Sequence, residues 1–271
     1  MTDLENRMVE VLKDLKANHH VVGIKAEFEA EGTRLEEALR LKEVITKAGL
    51  DLTIKIGGCE ALKDLYDARS IGVSHVVAPM IESGYALKKY LGCAKLAFPE
   101  EERKYVKFLI NLETIQGYRD LDEILKVAEG SILSGIVLGR VDLTGSIGKD
   151  RAYVNSEEIF NIAQDAFTKA KKQNLECVVG GGVSKETVPF LNQLPQGLVN
   201  RYETRKVIFN CPEALSGEYE KGILKAVGFE LMWLKNKKNF YGLIYEEDNH
   251  RLEMLEKRYK KLIEDAGGKV Q

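Results

Sequence analysis

Two acids stand where an apolar strand pattern ends: Glu113 after "YVKFLIN" and Asp142 after "SGIVLGR". Carboxylates brought close together repel unless a cation or a proton sits between them. Oxygen donors with few nitrogens or sulfurs suit Mg²⁺ or Mn²⁺, with water and substrate oxygens filling the remaining positions. Other charged residues recur at a spacing of two, the period of a strand face. In "GIKAEFE", Lys25, Glu27 and Glu29 share one face, and Ile24, Ala26 and Phe28 share the other. Lys55 shares a face with Thr53 and Gly57, opposite Leu52, Ile54 and Ile56. Asn111 stands with Glu113, Arg140 with Asp142, and Arg201 with Glu203 and Arg205. Taken singly, each is as readily an ion pair at the end of a sheet. Glu113 and Asp142 together point further, to a shared cation.

The elements that must position these residues alternate. Short apolar strands, "DLTIKIGG", "HVVAPMI", "YVKFLINLE", "SGIVLGRVDL" and "LECVVGG", each precede a longer helical pattern. Such alternation predicts a parallel sheet covered by helices. No GxGxxG run follows the first strand, so a (β/α)8 TIM barrel is expected rather than a doubly wound sheet. Seven strands are evident, with "GLVNRYETRKVIF" as the last; an eighth is expected near His19–Val22 or in irregular form. The charged faces then point inward, toward the C-terminal mouth where barrel active sites sit. Residues 1–211 are expected to form the barrel domain with its N-terminal helix, and 212–271 a mostly helical extension. Leu252, Leu255, Tyr259 and Leu262 keep helical spacing there. With Trp233, Phe240, Tyr241 and Tyr245 they allow packing on the barrel or on another subunit of a homo-oligomer.

Forty basic and 42 acidic residues in 271 give a formal net charge of −2. That balance is not the footprint of a nucleic-acid-binding chain. Cys59, Cys93, Cys177 and Cys211 are far apart and read as reduced thiols. The charged start shows no signal-peptide core, and no apolar run approaches the roughly 20 residues of a membrane helix. A cytoplasmic protein is expected.

Three segments carry a family resemblance. "INLETIQGYRDLDEIL" and "VLGRVDLTGSIG" resemble the two metal-binding segments of the HpcH/HpaI aldolase and citrate lyase β-subunit family. "DLYDARSIGVSHVVAPMIES" resembles its Pro-containing strand. Order and spacing agree from about Gly23 to Arg205. The resemblance implies a phosphoenolpyruvate/pyruvate-binding barrel in which Glu113 and Asp142 hold Mg²⁺ or Mn²⁺. The ion would chelate a 2-oxo acid and stabilise an enolate as a carbon–carbon bond breaks or forms. Backbone amides after Pro79 and around Gly139 would help hold the substrate carboxylate.

The sequence departs from that pattern in two places. Lys55 stands where the family carries Arg; it keeps the charge but loses the bidentate fork. No His lies on the loop after "GIKAEFE", where the aldolase branch has one; Glu27 and Glu29 fit the citrate lyase branch better. The expectation is therefore a metal-dependent carbon–carbon lyase or aldolase acting on a 2-oxo acid, a related carboxylate or an acyl-CoA. Lys55, Glu27 and Glu29 are its expected catalytic residues. Lys25, Gly57, Pro79, Gly139, Arg140, Arg201 and Arg205 are its expected substrate contacts. Three alternatives stay open: a Schiff base on Lys25 or Lys55, a phosphoenolpyruvate-using synthase or mutase with Arg201 or Arg205 on phosphate, and a barrel whose catalysis is altered so that it binds or regulates.

Overall fold

In the computed structural model, which describes residues 1–269, strands and helices alternate along most of the chain. The order is α1 (Asp3–His19), β1 (Val21–Glu27), α2 (Leu35–Lys47), β2 (Asp51–Lys55), α3 (Leu62–Ile71), β3 (His75–Ala78), α4 (Gly84–Ala97) and α5 (Glu100–Arg103). It continues with β4 (Lys107–Leu112), α6 (Ile115–Arg119), α7 (Leu121–Ala128), β5 (Leu133–Gly139), α8 (Arg140–Ser146), α9 (Glu157–Lys171), β6 (Glu176–Gly180) and α10 (Thr187–Leu191). Last come β7 (Arg201–Glu203), β8 (Val207–Asn210) and α11 (Tyr219–Asp265). The eight strands close into a barrel in sequence order. The fold is thus an α/β barrel of the expected kind.

The period of two decides what each strand buries. Ile24, Leu52, Ile54, Val76, Ile110, Ile136, Leu138 and Val179 are fully buried on the outward faces. The alternate residues line the interior, where Val77, Leu109, Val137 and Val178 form a tight apolar layer. Fully burying such a side chain contributes about 1.5–3 kcal/mol. On β1 and β2 the interior positions are polar instead. The parallel register sets Lys25 beside Thr53 and Glu27 beside Lys55. A charged tier therefore lies near the C-terminal ends of these strands.

Helix starts follow local chemistry. Thr2 and Glu5 form a capping box at α1. Ser83, Thr114 and Ser156 each accept a backbone N–H at the start of α4, α6 and α9. Arg40 of α2 donates to both carboxylate oxygens of Glu5, at 2.6 and 2.5 Å, joining α2 to α1.

The eighth strand differs from the expectation. Val21 and Val22 belong to β1, while "GLVNRYETRKVIF" supplies two strands, folded back at Thr204–Lys206. Thr204 closes the turn: its N–H donates to the Val207 carbonyl at 2.9 Å, and its hydroxyl accepts the Val207 N–H at 3.1 Å. β8 runs antiparallel to both β7 and β1. Three linking residues cannot make the crossover a parallel pair needs, so a hairpin is the only solution.

The chain divides into two compact units, Met1–Glu230 and Leu231–Gln271. The division falls inside α11 rather than at 211/212. The second unit is helical as far as Asp265. Among the described residues, no helix is long and apolar enough to cross a membrane.

Leu109 tests the interior layer. Leu109→Ala is expected to lower unfolding stability by about 2–5 kcal/mol in urea titrations, because the closed barrel cannot collapse onto the cavity.

Candidate active site

The charged tier resolves into two clusters at the C-terminal mouth. In the first, Lys25 Nζ lies 2.6 Å from Glu203 Oε1 and 3.1 Å from Glu27 Oε1. Burial alone would lower its pKa, but the two carboxylates outweigh burial and hold the ammonium above its ordinary range. Glu27 is pulled below the usual carboxylate range: burial opposes this, and Lys25 and Lys55 overcome it.

The second cluster centres on Lys55. Its ammonium sits 3.0 Å from Glu29 Oε2 and 3.5 Å from Glu113 Oε2. Burial would lower its pKa, but Glu113 and Glu29 raise it. Glu113, the residue after β4, is only 2% exposed. Asn111 donates to its Oε2 at 2.7 Å, and the Met80 backbone N–H donates to its Oε1 at 3.0 Å. Met80 adopts a left-handed φ of 50° to do so, a conformation a non-glycine residue holds at some cost. Gly139 faces the same carboxylate. A Cβ there would lie 2.7 Å from Glu113 Cβ and Oε2, so only glycine lets β5 pass this close.

Asp142 is not on a strand. β5 ends at Gly139, and Asp142 lies in the first turn of α8, exposed. Leu143 and Thr144 are buried beneath it, and the Thr144 hydroxyl donates within the helix to the Arg140 and Val141 carbonyls. Asp142 still acts on Glu113. Burial pushes the Glu113 pKa up, Lys55, Asn111 and Met80 pull it down, and Asp142 adds to the rise, which prevails.

Several expected substrate contacts have other work. Arg140 is fully buried. Its guanidinium donates to the Gly180 and Gly181 carbonyls, Asn155 Oδ1, the Val154 carbonyl and Thr187 Oγ1, at 2.6–3.4 Å. Burial alone lowers its pKa to about 10. It fastens α8 to the end of β6 instead of meeting a ligand, and the Gly180–Gly182 run serves that packing. Gly57 donates its amide to Asp64 Oδ2 at 2.7 Å, and the amide after Pro79 is spent on Glu113. Arg201 lies at the other end of the barrel. It begins β7 and meets Glu176 at 2.5 Å and His75 Nε2 at 3.1 Å, residues that begin β6 and β3. Burial, then Arg201, pushes His75 down to about 4. Arg205 sits exposed on the β7–β8 turn and pairs with Glu31 at 3.2 Å, not with Glu203. Lys206 pairs with the same Glu31 at 2.6 Å. Asn111 and Glu203 were visible in the sequence as inward positions of their strands but were given no role in the site; the Met80 amide was expected to meet a substrate carboxylate and meets the Glu113 carboxylate instead.

The mouth therefore gathers Glu27, Glu29, Glu113, Asp142 and Glu203 against two lysines. Glu29 Oε2 is buried, 3.0 Å from the Lys55 ammonium. Excess negative charge and hard oxygens fit a small divalent cation. Glu113 and Asp142 are the residues that would hold it. No group of three or more His, Cys, Asp or Glu forms a metal cage among the described residues.

The raised pKa of Glu113 carries a stability sign. The folded protein holds this proton more tightly than the unfolded chain, so ionising Glu113 costs stability as pH rises from the ordinary carboxylate range through its folded pKa. With chelator present, Glu113→Gln is expected to match or exceed the wild type in urea unfolding at neutral pH. The difference closes below about pH 4, where the carboxyl is protonated in both states.

The sequence model of the HpcH/HpaI aldolase/citrate lyase family matches residues 27–185. Comparison with curated proteins finds no relative. Solved structures share the fold at low identity. An HpcH/HpaI aldolase from Desulfitobacterium hafniense DCB-2 is 13% identical with a TM-score of 0.56, over 69% of this chain and 78% of that one. The citrate synthase SbnG is 14% identical with a TM-score of 0.58, over 86% and 90%. An HpcH/HpaI aldolase/citrate lyase family protein from Burkholderia cenocepacia J2315 is 10% identical with a TM-score of 0.59, over 84% and 90%. The matched stretch runs from Glu27 past Glu113 and Asp142 to Lys185, just before α10, and covers more than half of the chain, so this protein belongs to the HpcH/HpaI aldolase/citrate lyase family.

Proposed function

We propose that this protein is a divalent-metal-dependent carbon–carbon lyase or aldolase that acts on a 2-oxo acid through its enolate. Family membership supports the lyase or aldolase type. The observation that carries the finer reading is the Glu29–Lys55–Glu113 chain at the barrel mouth, with Asp142 felt by Glu113. Mg²⁺ or Mn²⁺ bound there would act as a Lewis acid toward the substrate's carboxylate and keto oxygens.

The chain's own residues supply the rest. Lys55 stays protonated between two carboxylates, so it offers positive charge to an oxygen that turns anionic in the transition state. As a point charge it does so without the two-pronged grip of an Arg. Glu29 is part-exposed at the mouth beside Lys55. It is the acid placed to pass a proton between substrate carbon and water. Asn111 and the Met80 amide fix the orientation of Glu113. Glu27 and Glu203 hold Lys25 and act on the site through charge.

A Schiff-base route has less support, because both lysines are held charged by paired carboxylates. A phosphoenolpyruvate-using enzyme has less as well. Arg201 is at the far end, and Arg205 is engaged with Glu31.

The test is exchange of pyruvate methyl protons with deuterated solvent, followed by NMR. Exchange should require Mg²⁺ or Mn²⁺, stop with chelator and leave no borohydride-trapped adduct. Exchange that survives chelator and is trapped by borohydride would overturn the metal reading in favour of the imine. Lys55→Met should slow exchange about 10²–10³-fold. Asn111→Ala should raise the Mg²⁺ concentration needed by about 10–100-fold, since it loosens a ligand's holder.

A further inference from the structure

Within Leu231–Gln271 the helix carries a pattern the site does not use. Leu231, Leu234, Lys238, Tyr241, Tyr245, Asp248, Leu252, Leu255, Tyr259 and Leu262 alternate at spacings of three and four. That is the a/d seam of a coiled coil. Every one of its leucines is more than half exposed, as are Tyr245 and Tyr259. Lys238 and Asp248 are exposed as well. In sequence the same spacing reaches back to Val227 and Leu224.

The seam reads alike from either end about Leu243: Leu, Leu, Lys, Tyr, then Tyr, Asp, Leu, Leu. Two antiparallel copies centred there set Leu231 opposite Leu255, Leu234 opposite Leu252, Tyr241 opposite Tyr245 and Lys238 opposite Asp248, each twice. A parallel alignment would instead set Lys238 against Lys238 and Asp248 against Asp248, which costs affinity. The two charged interruptions of the seam therefore select both the orientation and the occupant. A polar residue in a coiled-coil core fixes register in this way. The stretch from Leu231 to Leu255 is about 36 Å long at 1.5 Å per residue, enough for more than three heptads.

We propose that the exposed seam of α11 is an interface with a second copy of this chain, formed as an antiparallel two-stranded coiled coil with reciprocal Lys238–Asp248 pairs. Sedimentation velocity on the full chain tests it. Lys238→Asp and Asp248→Lys each place like charges opposite each other twice, and each should weaken self-association about tenfold or more. An equimolar mixture of the two variants restores both pairs, and should recover the wild-type sedimentation coefficient and affinity, as should the double charge swap in one chain. Circular dichroism should be unchanged in every variant, because both positions are exposed. A monomeric wild type would overturn the proposal. So would single variants that sediment like the wild type, as expected if a different protein or a different surface covers the seam, or a mixture that fails to reassociate.

Discussion

Two ammonium groups stand inside a barrel whose interior also holds the apolar layer of Val77, Leu109, Val137 and Val178, and the rest of the mouth is arranged around that fact. A lysine taken out of water loses its proton or acquires a counter-charge. Here Lys25 acquires Glu27 and Glu203, and Lys55 acquires Glu29 and Glu113. The carboxylates arrive from β1, β4 and β7, so matching the charge also ties distant strands together across the interior. It leaves more acid than base at the mouth. A divalent cation bound there, as proposed, would satisfy what the lysines leave unmatched.

Much of this was legible in the sequence because a strand has a strict period. Lys25, Glu27, Thr53, Lys55, Asn111 and Glu113 all face inward, as their spacing predicts. What spacing could not give was height along the barrel. Arg201 and Glu203 share a face, yet the first residue of a short strand lies at one end and the third at the other. Arg201 thus joins Glu176 and His75, far from Glu203 and Lys25. Nor could spacing say where a strand stops. Arg140 and Asp142 look like strand residues, but the chain turns helical after Gly139, which sends the guanidinium into the packing and leaves the carboxylate outside.

The backbone made claims of its own that side-chain patterns hide. The amides near Pro79 and at Gly57 seemed free for a ligand, and each is taken by an acid of this chain. Buried polar groups find partners wherever they can, so an amide at a strand end is more often occupied than waiting. The hairpin at Thr204 has the same lesson: Thr204, Arg205 and Lys206 link β7 to β8, and three polar residues are enough to reverse the chain.

That reversal leaves a mark on one wall of the barrel mouth. Many barrels grip phosphate with the loops that follow their seventh and eighth strands. Here the seventh is followed by a turn that closes on its own threonine, and the eighth ends at the opposite face. The side of the mouth between β7 and β1 is fenced by Arg205 and Lys206, both engaged with Glu31. On that flank the chain's own basic side chains are matched by its own acid, so the wall of the mouth is built of ion pairs on a tight turn rather than of a long loop.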